Sequence, residues 1–377
     1  MLARDPAEDE RASTPLELFF DLVFVVAVAS ASERLHHGLS EGAGASDIVS
    51  FVTVFIAIWW AWMNFTWFAS AYDSDDVVYR ISVFVMMSGA LILAAGVPRA
   101  FDERNFDIAT LGYVVMRLAL VTQWIRASRA DAPRRTTTRR YAIGVSACQV
   151  GWIAALALPV EASLLAFTVL IAAEVSVPIW AEAASPTAWH PVHIAERYGL
   201  FTIIVLGESI LASSFAIRTA VDEAGLTGEL VLVLAGGLLI VFSMWWLYFD
   251  RPGDPLLSTT RGAFLWGYGH LFVFGSAAAV GAGLSVAIEH ASHHGELSDV
   301  GAGASVAIPV AIYVVSLWIM HLGSPASMVS RASGPITAVL VLLSPFTPEP
   351  VLVTGVLVTG IVAVKVVLGM RDPIVSR

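Results

Sequence analysis

Apolar residues in this chain come in long unbroken blocks divided by short polar stretches. Blocks such as 47–72, 228–249 and 349–369 each reach the roughly 20 residues that a helix needs to cross a hydrocarbon layer about 30 Å thick. Strands of a membrane barrel would show shorter, alternating segments, and the chain has none. The blocks predict helices at about 16–34, 47–72, 77–98, 106–128, 141–159, 163–181, 193–216, 228–249, 263–289, 302–322, 329–346 and 349–370. The expected fold class is therefore all-α, a polytopic integral membrane bundle of about twelve transmembrane helices. The fifth and sixth helices are divided only by Pro159–Ala162, and the last two only by Ser344–Pro350. Ten spans remain open if either pair is re-entrant or merged.

Composition strengthens this picture. Hydrophobic residues make up 57% and charged residues 14%, against about 45–50% and about 25% in soluble domains. The formal charge is −10, with no basic cluster beyond one loop, which excludes nucleic acid as a natural partner. Cys148 stands alone within an apolar block, so no disulfide can form within the chain. The acidic start, with Asp5, Glu8, Asp9 and Glu10, is unlike a secretory signal peptide, and the first helix is expected to stay uncleaved.

Arginine sets the expected orientation. Arg126, Arg129, Arg134, Arg135, Arg139 and Arg140 fill the fourth connection, and Arg4, Arg11, Arg251, Arg261, Arg331, Arg371 and Arg377 fall on the same side. Arg34, Arg99, Arg104 and Arg218 fall on the other. Thirteen against four puts both termini in the cytoplasm of a multi-pass protein of the inner (plasma) membrane. Residues 1–15 and 371–377 would be cytoplasmic tails.

A repeat is also suggested. Aligning Glu17 with Glu196 pairs Phe19 with Tyr198, and Asp73 at the end of the second helix pairs with Asp250 at the end of the eighth. Arg80 then falls near Arg261, and GYVV at 112–115 matches IYVV at 312–315. These matches keep their order, so residues 16–181 and 193–370 are read as two parallel six-helix repeats, a known transporter design. Chance similarity among apolar helices is the competing explanation.

Charge inside a membrane is costly, about 2.5–3.5 kcal/mol per group on insertion scales, and persists where it faces protein or water. Glu17 and Asp21 share one face of the first helix. Thr14-Pro15-Leu16-Glu17 reads as a capping box with proline at the first helical position, which is one account of Glu17, a place in a polar transport pathway being the other. Asp21, a turn deeper, is left for a polar network or an ion path. Asp73, Asp75 and Asp76 precede Arg80, either as an acidic loop with an i,i+4 ion pair from Asp76 to Arg80 or as a cation-concentrating mouth.

The seventh helix carries His193, Glu196, Arg197 and Glu208, with Arg197 and Glu208 on one stripe. Glu208 lies about 18 Å beyond Glu196 along the helix axis. Arg117 lies mid-way along the fourth helix and Glu174 along the sixth. A buried arginine seeks a carboxylate, so Arg117 is expected to pair with Glu174 or Glu208. His270 is expected as a hydrogen-bonded core histidine or a pathway group.

His290 with His293 or His294 has metal-ligand spacing, but no second His/Cys pair matches it, and no metal or cofactor is expected. Trp67, Trp245 and Trp246 suit an interfacial belt, and Trp59 and Trp60 suit packing. Gly89, Gly275, Gly281 and Gly283 suit close helix contacts. There is no phosphate loop, dinucleotide fingerprint, HExxH motif or nucleophile elbow.

The segments PLELFFDLVFVVAVA at 15–29, NFTWFASAYDSDD at 64–76, HIAERYGLFTIIVLGESIL at 193–211 and WWLYFD at 245–250 resemble the low temperature requirement protein A (LtrA) family. That resemblance implies a polytopic bacterial membrane protein and supplies no activity. Leu16, Glu17, Phe19, Asp21, Val23, Phe24 and Ala27 also resemble the first-helix pattern of potassium channels of the transmembrane protein 175 type. There the pattern lines the pore, but Phe20, Leu22 and Leu200 depart from it.

Three functions stay open. The leading expectation is a carrier or channel for a small ion or solute, with Asp21 and Glu208 as principal carboxylates and Arg80, Arg117 and Glu174 tuning them. A membrane-embedded lipid-modifying enzyme would have to use His193, Glu196 and Glu208. A non-catalytic membrane stress-response protein would use the charges only to hold helices together. The implied partners are the lipid bilayer and a small ion or solute, with a homo-oligomer open.

Overall fold

The structure, a computed structural model, describes residues 2–4, 12–42, 44–250, 255–292, 297–321 and 328–371. Among them are twelve α-helices. These are α1 (Pro15–Ser40), α2 (Ala45–Ala71), α3 (Val77–Asp102), α4 (Asp107–Ala130), α5 (Arg135–Ala155) and α6 (Val160–Glu182). They continue with α7 (Pro191–Ala224), α8 (Gly228–Phe249), α9 (Thr260–Ala291), α10 (Asp299–Met320), α11 (Met328–Leu343) and α12 (Pro350–Arg371). Ten are long and apolar enough to cross a membrane. The other two, α5 and α11, lower the expected count of about twelve spans. The first turns of α5 read RTTTRR, and α11 has only 16 residues.

Local signals fix several helix ends. At α1 the capping box forms: Thr14 Oγ1 accepts from Glu17 N at 3.2 Å, and Glu17 Oε2 accepts from Thr14 N at 2.8 Å. Asp76, Thr227, Thr259 and Ser298 cap α3, α8, α9 and α10 with their side chains. α7 runs eight residues past its expected end at 216, because nothing interrupts it before Gly225. That glycine takes φ +75° and donates back to Val221 O at 3.0 Å, a left-handed terminus that glycine adopts at little cost. α5 begins six residues earlier than expected, and Thr137 Oγ1 anchors its first turn to Ser185 O at 2.7 Å.

The helices gather into two compact units. One comprises residues 1–30 and 53–200, the other residues 31–52 and 201–377, so α1, α2 and α7 contribute a segment to each. In the first unit α3, α4, α5 and α6 pack in sequence order. α3 and α4 approach at Gly89, Gly96 and Gly112, where an added β-carbon would strike backbone atoms of the facing helix. The core of this unit is aromatic, with Trp60, Trp62, Phe65 and Phe68 buried and Trp124 stacked on Tyr141 at 4.1 Å between centroids. Cys148 on α5 is buried and free. A short antiparallel pair of strands, β1 (Leu2–Ala3) and β2 (Tyr72–Asp73), was not expected and ties the chain start to the end of α2.

In the second unit α9 packs on α10, α8 on α12, and α10 on α11. Glycine again marks the contacts: a β-carbon on Gly236 would meet the Val351 backbone, and one on Gly283 the Ser305 carbonyl. α9 is the most enclosed of the candidate spans. Apolar side chains such as Leu211, Phe215, Leu238, Phe242 and Phe272 are exposed, as a hydrocarbon-facing surface requires.

Candidate functional site

In the first unit, α1 and α7 each present two ionisable residues one turn apart, Glu17 with Asp21 and His193 with Arg197. The Arg197 guanidinium donates to Asp21 through Nε at 3.1 Å and Nη2 at 2.6 Å. Its Nη1 lies 3.3 Å from Glu17 Oε1, and His193 Nε2 lies 3.3 Å from the same oxygen. Trp62 Nε1 donates to Asp21 Oδ1 at 2.7 Å. Asp21, His193 and Arg197 are fully enclosed. Arg197 thus meets both Asp21 and Glu17 of α1. Glu196 points elsewhere, accepting from Ser13 N at 3.2 Å. Trp67, read as a belt residue, donates to Tyr198 OH at 2.9 Å.

A second polar cluster in this unit centres on Glu174 of α6, which is 0% exposed. Its Oε2 accepts from Arg117 Nη2 at 2.7 Å and Trp60 Nε1 at 2.9 Å. Its Oε1 accepts from Tyr113 OH at 3.1 Å, Gln149 Nε2 at 3.0 Å and Trp152 Nε1 at 3.3 Å. Of the two carboxylates open to Arg117, the structure selects Glu174. Trp60, expected to pack, also serves as a donor. Every partner of Glu174 donates, which matches an ionised carboxylate acting only as acceptor.

The acidic stretch before α3 is arranged differently from the expected Asp76–Arg80 pair. Arg80 grips Asp75 through Nε at 2.7 Å and Nη2 at 2.6 Å, on the surface. Asp76 instead caps α3 through Tyr79 N at 2.9 Å and pairs with Arg126. The Tyr79 N–H, then the Arg126 guanidinium, holds the Asp76 carboxyl below the ordinary carboxylate range, and Arg80 does the same to Asp75. Beside them Tyr72 donates to Asp131 Oδ2 at 3.2 Å, and burial pushes its phenol well up. Asp73 sits in β2, but its side chain lies outside the described residues.

In the second unit, His270 is a hydrogen-bonded core residue. Its Nδ1 donates to Trp266 O at 2.8 Å, which leaves Nε2 to accept from Tyr248 OH at 2.9 Å. Asp250 lies 3.4 Å from Lys365 Nζ. Glu208 Oε2 is buried and has no hydrogen-bond partner among the described residues. His36 and Ser40, which the sequence had not singled out, both meet Glu289 Oε2, at 2.9 and 2.6 Å. His290 pairs with Asp299 at 3.0 Å, while His293 and His294 lie outside the described residues. Among the described residues no group of three or more His, Cys, Asp or Glu could hold a metal ion.

Of the missed contributors, Gln149 was the most visible, a lone amide within the apolar stretch of α5. Trp60, Tyr113 and Trp152 had no such signal, since aromatic residues in a membrane helix ordinarily only pack.

Comparison with known proteins adds a family and no activity. The family model described as bacterial low temperature requirement A protein (LtrA) matches residues 12–370. An uncharacterized protein, RA0937, of Rhizobium meliloti (strain 1021) is 28% identical over 307 residues, covering 77% of this chain and 72% of that protein. No solved structure matches. With ten apolar helices long enough to span a bilayer and a family match over nearly its whole length, the chain belongs to the LtrA family.

Proposed function

We propose that this protein moves a small ion or solute across the membrane, as a carrier or a channel. The observation that carries the reading is Glu208, a carboxylate within a long apolar helix whose Oε2 is buried without a hydrogen-bond partner among the described residues. Desolvating such a group is expensive, and a structural role would ordinarily supply it with a donor, as happens at Asp21 and Glu174. A carboxylate left open suits a group that binds and releases something. Asp21 would take part only when its bond to Arg197 opens.

The same proposal takes residues 16–181 and 193–370 as two repeats, and places both termini in the cytoplasm of the inner (plasma) membrane on the strength of the arginine bias. The test is monovalent-cation and proton flux in proteoliposomes, comparing wild type with Glu208→Gln and Asp21→Asn. Glu208→Gln is expected to fold and to abolish flux. Absence of flux under every gradient, or flux unchanged in that variant, would overturn the reading.

A further inference from the structure

The Arg117–Glu174 cluster holds more hydrogen-bonding capacity than its protein groups use. Arg117 is 1% exposed, and only its Nη2 reaches Glu174. Its Nε and Nη1 are buried with no hydrogen-bond partner among the described residues, and so is Gln149 Oε1. The Gln149 amide orientation follows from the network, because Nε2 donates to Glu174 Oε1 at 3.0 Å and a flipped amide would set oxygen against oxygen. Guanidinium and amide are therefore held against the same carboxylate, with two idle donors on one and an idle acceptor on the other. Buried polar groups in folded proteins are paired in roughly nine cases out of ten or more, so three idle atoms in one cluster indicate a missing component.

Charge and hydrogen-bonding capacity narrow what that component is. Arg117 and Glu174 cancel, so a bound anion or cation would leave one net charge buried. Glu174 already accepts five hydrogen bonds, against about four lone-pair directions on a carboxylate, so no room remains on it for a metal ion. An oxygen that accepts from Arg117 and also donates to Gln149 Oε1 satisfies both sides. A hydroxyl does both. We infer that the Arg117–Gln149–Glu174 cluster is a binding site for a neutral hydroxyl group, supplied either by water or by a small hydroxylated solute.

The inference does not depend on the transport reading. It is tested on the full chain in lipid, by water-edited solid-state NMR of the Arg117 side-chain nitrogens, assigned against Arg117→Lys, together with mass spectrometry of co-purified small molecules. Rapid polarisation transfer from water to Arg117 Nε identifies water as the source. Absent transfer with a co-purified hydroxylated compound identifies the solute. Either result supports the site, and neither appearing overturns it. Gln149→Met removes the acceptor while keeping the volume, and should abolish the transfer or release the compound. Persistence of either in that variant would overturn the bridging role of Gln149. Should Gln149→Met not fold, the wild-type comparison with Arg117→Lys still decides.

Discussion

Arg117 and Glu174 show how completely a buried charge pair depends on both members. Glu174, on α6, gathers donors from α2, α4 and α5 at a fully buried position. Replacing it with glutamine leaves the Arg117 guanidinium enclosed without a counter-charge, an error that costs about 3–5 kcal/mol in buried pairs. Glu174→Gln should therefore lower the thermal unfolding temperature in detergent strongly. The double variant Arg117→Met with Glu174→Met, which removes both charges, should regain most of the loss. If the single variant unfolds at the wild-type temperature, the pair is not structural. Sequence could nominate Arg117 as needing a carboxylate, because an arginine in an apolar helix has few other options. It could not choose between Glu174 and Glu208, because that choice turns on helix rotation and packing.

Helix ends were easier to read than helix partners. The Thr14–Glu17 box works through atoms three residues apart, so the local sequence contained it. The beginning of α5 was hidden because the hold on Thr137 comes from Ser185, far along the chain. Asp76 combines both kinds of information, capping α3 locally and meeting Arg126 across the unit. Asp76→Ala should destabilise the protein by about 1 kcal/mol, as losing a cap commonly does, while Asp76→Asn keeps the cap and loses less. The Asp76 carboxyl is held below its ordinary range, so its stabilising contribution is present above the unfolded carboxylate value of about 4 and fades as pH falls through the lower folded one. Thermal unfolding of wild type and Asp76→Ala at neutral and strongly acidic pH should converge at the acidic end. An equal gap at both would contradict the assignment.

The dominance of helices, ten of them long and apolar enough to cross a bilayer, followed from the length of the apolar blocks, because a bilayer imposes a nearly fixed thickness on every span. The count of spans was less secure, since α5 and α11 are helices without the length and apolarity of the other ten. The polar clusters were recoverable only in part. Charged residues in apolar helices announce themselves, while Trp60, Trp62 and Tyr113 conceal their hydrogen-bonding role behind an aromatic ring. The solitary, buried Cys148 has a practical corollary. A thiol enclosed in the folded protein should stay unreactive toward polar maleimides, so the natural sequence already serves as a silent background for site-directed labelling. Cysteines introduced at exposed Glu103 and Ala132, beyond opposite ends of α4, should then label from opposite sides of an intact cell membrane. One reagent would thereby report the sidedness of the protein, with no prior removal of its own thiol.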